Sequence, residues 1–266
     1  MSITISARLS KTNAKAQFID VTQAKSSVAT RYLEQADWNV EEALREYYNE
    51  NPPYDLKLEK LFDKYMDPEN HDLISIDGTL AYLNDLGIDP EEVLSLIVAY
   101  VLKSPQTGEF RRNSFVQIWS SLSINTIDGM RSFLLEKENT METSVDEFEP
   151  FYQFVFEFVR GSDSRIKVIS SEEAIIYWQM LLDKRFPKST ERLQQWYEFV
   201  QETKKSITRD SWNMFFKFLV QVIEKDPSSL SGYDEASAWP SLVDEYIEWL
   251  EESGKLQKGD DMSLIF

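Results

Sequence analysis

The sequence predicts an all-α chain, with a small three-helix unit ahead of a larger helical body. Three observations carry this. Apolar residues recur at spacings of three and four from Phe18 to Leu250, the period of helices with one buried face, and no run alternates as a strand does. Only eight of 266 residues are glycine, too few for an architecture of many tight turns. Pro52-Pro53 stops helix propagation and divides the chain. With 42% hydrophobic and 13% aromatic residues, the longer part can bury a large core.

Taken in order, residues 1–14 are small, polar and mildly basic and are expected to be unstructured. Residues 15–50 hold three short helices. Phe18 and Val21 mark the first, Val28, Tyr32 and Leu33 the second, and Val40, Ala43, Leu44 and Tyr47 the third. Asn39 is placed to cap the third, with Glu41 and Glu42 in the first turn favoured by the helix dipole. Residues 51–55 form the linker. The larger body spans 56–252 and opens on the stripe Leu58, Leu61, Phe62 and Tyr65.

The stretch DPENHDLISIDG, residues 67–78, has the length of a calcium loop. Asp67 and Glu69 take the first and third ligand positions and Ile74 the eighth. Asp72 and Gly78 stand where such a loop needs glycine and a bidentate glutamate, so an EF-hand-like turn without metal is expected. His71 reads as an exposed loop residue.

Asp89-Pro90-Glu91-Glu92 is a helix start, and the helix behind it (Val93 to Leu102) is apolar all round. Such a helix is buried on every side, or lines a pocket on one. After a turn over Lys103–Arg112 come a helix with Phe115, Ile118, Trp119 and Leu122 and another over about 126–137. Ser144-x-x-Glu147 and Ser170-x-x-Glu173 are capping boxes ahead of aromatic-rich helices, whose rings suit either a core or an apolar pocket. Leu193, Trp196, Tyr197 and Val200 mark the next helix. Thr208 caps another, with Asp210 in its first turn and Trp212, Phe215, Phe216 and Leu219 behind it.

The last helix lies in Asp226–Gly254, which holds eight carboxylates and no Lys or Arg. Trp239, Leu242, Val243, Tyr246, Ile247, Trp249 and Leu250 anchor it, Pro240 fits its first turn, and the opposite face is left as negative charge. That face is either a solvated acidic surface or a dock for a basic protein. Residues 253–266 are expected to form a flexible tail.

Formal charge is −18, nearly all of it beyond residue 52, which argues against nucleic acid as a partner because phosphate neutralisation needs clustered Lys and Arg. There is no cysteine and one histidine. Disulfides, thiolate zinc sites, cysteine nucleophiles and redox motifs are thereby excluded, and no cofactor is expected. No apolar run reaches 18 residues, so the expectation is a soluble monomer of cytoplasm and nucleus without membrane contact.

Two groups of residues resemble known families. The order FIDVTQ, VATRYLEQ and WNVEEALREYY resembles a ubiquitin-associated (UBA) domain, a module that either reads ubiquitin or a ubiquitin-like modifier through residues 15–50 or serves only as structure. Phe151-Tyr152-Gln153-Phe154, Ala174-x-x-Tyr177-Trp178, Ile207-x-x-Asp210-x-Trp212 and Tyr233-Asp234-Glu235-x-x-Ala238-Trp239-Pro240-x-x-x-Asp244 together resemble the potentiating-neddylation (PONY) domain. The whole chain is therefore similar to fungal members of the defective-in-cullin-neddylation family.

That resemblance implies a scaffold-type ligase that holds a cullin and a charged neddylation conjugating enzyme together, working by position without a nucleophile of its own. A non-catalytic ubiquitin and cullin adaptor is the alternative. It further implies that Asp210, Ala238 and Asp244 face the cullin C-terminal domain. Ile76, Val98, Ala99, Leu102, Phe110, Phe158 and Tyr177 are implied to line an apolar pocket for the acetylated N-terminus of the conjugating enzyme. Thr79, Ser95 and Gly108 are smaller or more polar here than in animal members. A calcium sensor and a carboxylate-based hydrolase are the remaining classes, the first opposed by Asp72 and Gly78 and the second by the solvated setting expected for the acids.

Overall fold

The computed structural model of the chain describes residues 2–22, 24–50, 56–163 and 165–256, with the backbone alone for 2–10. The expected linker at 51–55 and the tail from 257 onward lie outside the described residues. Two compact units are present, Met1–Phe62 with Phe115–Thr126, and Asp63–Ser114 with Ile127–Phe266. No helix among the described residues is long and apolar enough to cross a membrane.

The first unit begins with α1 (Ser2–Thr22), α2 (Ser26–Gln35) and α3 (Val40–Glu50). The helical start at Ser2 corrects the unstructured N-terminus expected over 1–14. No Gly or Pro occurs in the first 50 residues, so nothing local stops the helix. Phe18, Tyr32, Leu33 and Ala43 are fully buried, with Val28, Val40, Leu44 and Tyr47 packed against them. Val21, expected in this core, is instead 49% exposed. Asn39 Oδ1 accepts the Glu42 N–H at 3.2 Å, the expected cap. Asp37 and Trp38, at φ +48° and +65°, make the sharp turn between α2 and α3, closed by the Trp38 N–H on the Leu33 carbonyl at 2.6 Å.

The chain continues through α4 (Leu56–Tyr65), β1 (Leu73–Ile74), α5 (Ile76–Leu86), α6 (Val93–Val101), β2 (Phe110–Arg111) and α7 (Arg112–Ser121). β1 and β2 pair antiparallel with Ile74 opposite Phe110, so two helix–loop–helix segments share one short ladder, the EF-hand-like arrangement. Gly78 has a steric reason: a Cβ there would lie 1.9 Å from the Tyr65 carbonyl oxygen, so the twelfth loop position admits no side chain. The loop is held by a protein cation. Arg112 donates to the His71 carbonyl from Nε (3.0 Å) and Nη2 (2.7 Å) and pairs with Asp63 at 2.8 Å and Asp72 at 3.6 Å. α6 begins later than the sequence suggests. Asp89 Oδ1 accepts the Glu91 N–H in a separate turn, and Ser95 Oγ takes the Pro90 and Glu92 carbonyls.

The rest of the second unit is α8 (Ile127–Thr143), α9 (Val145–Arg160), β3 (Val168–Ile169), α10 (Ser171–Leu182), α11 (Thr190–Thr203), β4 (Ile207–Thr208), α12 (Arg209–Phe218) and α13 (Ser241–Glu252). A π-helical turn, Leu219–Ile223, prolongs α12. β3 and β4 pair antiparallel, and each runs directly into a capped helix. Ser170 and Glu173 form the full reciprocal capping box. Ser144 accepts the Glu147 N–H, but the Glu147 carboxylate goes to Lys137, so the other expected box is half formed.

Aromatic rings lock α9, α10 and α12 together. Trp212 stacks on Tyr152 (4.7 Å) and Trp178 (5.2 Å), and Trp196 of α11 stacks on Phe215 (4.0 Å). The polar edges of Trp178, Tyr152 and Trp212 are satisfied internally, whereas the buried Trp196 Nε1 has no hydrogen-bond partner in the protein. Trp178 Nε1 donates to the Tyr152 hydroxyl at 2.8 Å, that hydroxyl donates to the Trp212 carbonyl at 2.9 Å, and Trp212 Nε1 donates to the Tyr152 carbonyl at 3.0 Å. The aromatic motifs of these helices are thus one hydrogen-bonded core, as buried Tyr and Trp require.

Candidate functional site

Two places in the second unit combine exposure with a specific chemistry. The first is a cavity of about 140 Å³ lined by Ile76, Ala99, Phe110, Phe158 and Tyr177, five of the seven residues carried over from the family resemblance. Val98 and Leu102 do not line it: at 0% and 1% exposure they are packed in the core. α5 supplies one wall with Ile76, Thr79, Leu80 and Leu83, at the i, i+3, i+4, i+7 spacing of one helical face. Thr79 was named from the sequence as a flanking position, and that spacing extends from Ile76, so Leu80 and Leu83 were also available to a sequence reading that followed it. Ile76 and Leu80 are 53% and 44% exposed and form an apolar rim.

Met180 of α10 completes the lining with Pro90, Ser95, Leu96, Ser104, Thr107 and Gly108. Gly108 has φ +75°, and a Cβ there would meet Ile76 Cδ1 at 2.6 Å, so the glycine leaves room for the rim isoleucine. The polar groups of the lining are mostly turned away from ligand chemistry. Ser104 Oγ bonds the Gln106 and Glu109 carbonyls at 2.7 and 2.6 Å, as Ser95 does those of Pro90 and Glu92. Burial, and then the Glu173 charge, push the Tyr177 phenol upward, so it stays neutral. Such a cavity favours an uncharged apolar tip, because a buried ammonium without a counter-charge is strongly penalised.

A larger cavity, about 680 Å³, shares Met180 with the first and is lined by Ile97, Glu138, Met141, Glu142, Phe148 and Arg185 among others. No motif or spacing in the chain marks it. Arg185 caps the Phe148 ring at 4.3 Å. Burial, then the Glu142 charge, raise the Glu138 carboxyl above its ordinary value.

The second place is the surface formed by α12, α13 and the loop between them. Asp210 is exposed in the first turn of α12, Ala238 is exposed in the loop, and Asp244 is half-buried in the first turn of α13. The loop is pinned under Ala238: the Trp239 ring lies 5.4 Å from Phe218 of α12, and Tyr233 lies 6.3 Å from the same ring. Tyr233 then donates its hydroxyl to Asp244 Oδ1 at 2.8 Å. Ala238 and Asp244 are therefore fixed by one cluster. Asp210 stands eight residues before Phe218, roughly 12 Å along α12. Pro240 is the N-cap of α13, one place earlier than expected.

Not all eight carboxylates of this stretch face outward unspent. Asp226 caps a turn through Ser229 and Ser231, Asp234 accepts from the Ala236 N–H and Ser237, and Glu245 pairs with Lys205. Glu235, Glu248 and Glu252 have no ion pair among the described residues and carry the charge of the face.

Two residues that set this surface were not given that role from the sequence: Tyr233, named there only as part of a motif, and Arg192. Tyr233 orients Asp244, as above. Arg192 of α11, only 5% exposed, donates to the carbonyls of Pro227 (2.6 Å), Ser228 (2.7 Å) and Lys255 (3.1 Å) and to Gln195 Oε1 (2.8 Å). It gathers the start of the loop and the segment after α13 onto one guanidinium. Residues 253–256, expected to fray, are held by this bond and by the Lys255 and Leu256 N–H groups on the Leu250 carbonyl.

A family model described as cullin binding matches residues 129–249, and a UBA-like model matches residues 13–53. The chain is 34% identical to defective in cullin neddylation protein 1 of Candida albicans, over 91% of this chain and 98% of that protein. It is 38% identical to the protein of the same name from Yarrowia lipolytica, over 87% and 93%. It is 35% identical to human DCN1-like protein 3, over 75% of this chain and 64% of that protein.

Proposed function

The chain belongs to the defective-in-cullin-neddylation family, and on that premise we propose that it acts in cullin neddylation as a scaffold-type ligase. In this reading the surface around Asp210, Ala238 and Asp244 binds the cullin C-terminal domain. The small cavity binds the acetylated N-terminus of the neddylation conjugating enzyme. Residues 15–50 supply the UBA-like module, with ubiquitin or a ubiquitin-like modifier as its partner. The reaction, attack of a cullin lysine on a thioester, needs no nucleophile from a chain without cysteine. What the protein contributes is proximity: holding both reactants replaces a bimolecular search and can lower the barrier by several kcal/mol.

The observation that carries the reading is the exposed methyl of Ala238 on the loop whose Tyr233 orients the Asp244 carboxylate. A side chain that small lets a Lys- or Arg-bearing surface approach closely, and Asp244 meets it with its position already set. The remaining acids of the face steer encounter with a basic partner.

The test is single-turnover transfer of the modifier from its charged conjugating enzyme to a cullin C-terminal domain, with and without this protein. Acceleration that vanishes with Asp244→Ala supports a positioning ligase. No acceleration, with cullin still bound, replaces it by the non-catalytic adaptor. Wild-type-like cullin affinity in the triple variant Asp210→Ala, Ala238→Arg, Asp244→Ala removes the assignment of the surface.

A further inference from the structure

The larger cavity, about 680 Å³, belongs to neither proposed docking place, and its charges are not balanced. α8 turns Glu138, Met141 and Glu142 toward it at i, i+3 and i+4, so two carboxylates stand side by side on one helical face. Glu92, the N-cap residue of α6, adds a third, and Lys184 and Arg185, just beyond α10, add two cations. Lys184 is taken up by Glu142 at 2.9 Å. Arg185 lies over the Phe148 ring, donates from Nη1 to the Met141 carbonyl, and makes no ion pair among the described residues. Glu138 is half-buried, and among the described residues its carboxylate has neither an ion pair nor a hydrogen bond. Ile97, Met141, Phe148 and Met180 give the cavity its apolar wall.

A half-buried carboxylate held beside like charges is destabilising, and a cation arriving from outside removes that cost. An anion arriving there would meet three carboxylates and one uncommitted guanidinium, on a chain of net charge −18, so the balance of charge favours a cation. Arg185 then suits a neutral acceptor such as a backbone carbonyl, which a peptide brings with it. The volume lies in the range that encloses a drug-sized ligand, enough for a short stretch of peptide. We propose that this cavity docks a peptide segment of a basic partner protein, one in which a Lys or Arg stands beside large apolar side chains. The apolar side chains lie among Ile97, Met141, Phe148 and Met180, the cation pairs with Glu138, and Arg185 donates to a carbonyl of the segment. The site is distinct from the small cavity, although Met180 borders both.

The experiment titrates the intact protein with three peptides, acetyl-Leu-X-Phe-amide with lysine, norleucine or glutamate at X, and follows the methyl resonances of Ile97 and Met141 by NMR. Norleucine keeps the stem of lysine and lacks the ammonium. The lysine peptide is expected to bind about ten-fold more tightly than the norleucine peptide, the ratio that one hydrogen bond to a charged group supports at a partly exposed site. The glutamate peptide is expected to bind most weakly. Glu138→Gln keeps the shape of the side chain and removes its charge. It is expected to bind the lysine and norleucine peptides equally, and the norleucine peptide as the intact protein does.

Ile76→Arg, at the exposed rim of the small cavity, is the control for location and is expected to leave all three affinities unchanged. A preference for lysine that survives Glu138→Gln overturns the role of Glu138. A glutamate peptide bound more tightly than the lysine peptide assigns the cavity to an acidic segment through Arg185 and overturns the proposal. No shift at Ile97 or Met141 with any of the three peptides, or loss of binding in Ile76→Arg, removes the site altogether. None of these outcomes bears on the proposed role in neddylation, which rests on the other two places.

Discussion

Replacing Arg192 with methionine separates support of the surface proposed to bind the cullin from contact with it. The guanidinium makes four hydrogen bonds, three of them to carbonyls of Pro227, Ser228 and Lys255, from a side chain that is almost wholly buried. Methionine keeps much of the stem's packing and removes every donor. A fully buried carbonyl left unpaired costs about 1–3 kcal/mol; these three bonds are part-buried, so water reaching the carbonyls and relief of the buried charge give some of that back. A net loss of about 2–4 kcal/mol follows. Urea denaturation followed by tryptophan fluorescence measures it, and hydrogen exchange locates it, with faster exchange expected over residues 226–233 and 253–256. Cullin affinity should fall as well, because the loop that carries Ala238 loses its anchor. A loss below about 1 kcal/mol with unchanged exchange in both segments would refute the argument, since it would mean that the loop is held by its own turns.

Three other outcomes are expected. Asp244→Ala should lower cullin affinity at least ten-fold without altering the denaturation midpoint, and Tyr233→Phe should lower it by a smaller factor, about five-fold, because it removes only the bond that orients the carboxylate; equal losses in both would contradict this division of roles. Gly78→Ala should destabilise the protein by at least about 2 kcal/mol, since the new methyl would sit 1.9 Å from the Tyr65 carbonyl oxygen, and a thermal melt unchanged from the parent would show that the backbone yields more easily than close packing implies. Glu138 has a raised pKa from burial and from the charges of Glu142 and Glu92, so the stability tied to its neutral form is present below the unfolded value and lost as pH rises through the folded one. Glu138→Gln should therefore melt higher than the parent at pH 7, with the gap closing toward about pH 4, and a gap that widens on acidification would reverse the sign.

The helical class was legible because the signal for it is local. Apolar spacing and the caps at Asn39, Ser170 and Thr208 each act within a few residues. The two sheets escaped because their strands are two residues long, too short for alternation to register. The start of α6 was misplaced for a related reason. Asp89 has the chemistry of a cap, and it does cap, but the turn it closes precedes the helix while Ser95 occupies the carbonyls between. Local chemistry was read correctly there and assigned to the wrong element. The site was less legible. Val98 and Leu102 share the apolar character of Ala99, and only the rotation of α6 against its neighbours decides which of the three meets the cavity. Nothing local marks Arg192, because the carbonyls that draw it inward lie 35 to 63 residues away.

The arrangement of α10 bears directly on how a positioning ligase can work. Tyr177 lines the small cavity, and the next residue, Trp178, stacks on Trp212 of α12, two residues after Asp210. Trp178 is also hydrogen-bonded through Tyr152 to the Trp212 carbonyl, so α9, α10 and α12 share one buried polar network. The proposed binding place for the conjugating enzyme and that for the cullin are thus separated by a stack of close-packed rings with few alternative rotamers. Acceleration by proximity requires that the two reactants be held in one relative geometry, and a hinge or a polar, water-filled layer between the sites would dissipate it. The density of Trp, Tyr and Phe in these helices then has a proposed functional reading beside the structural one: the core that stabilises the second unit would also be the rigid member between the two proposed docking places.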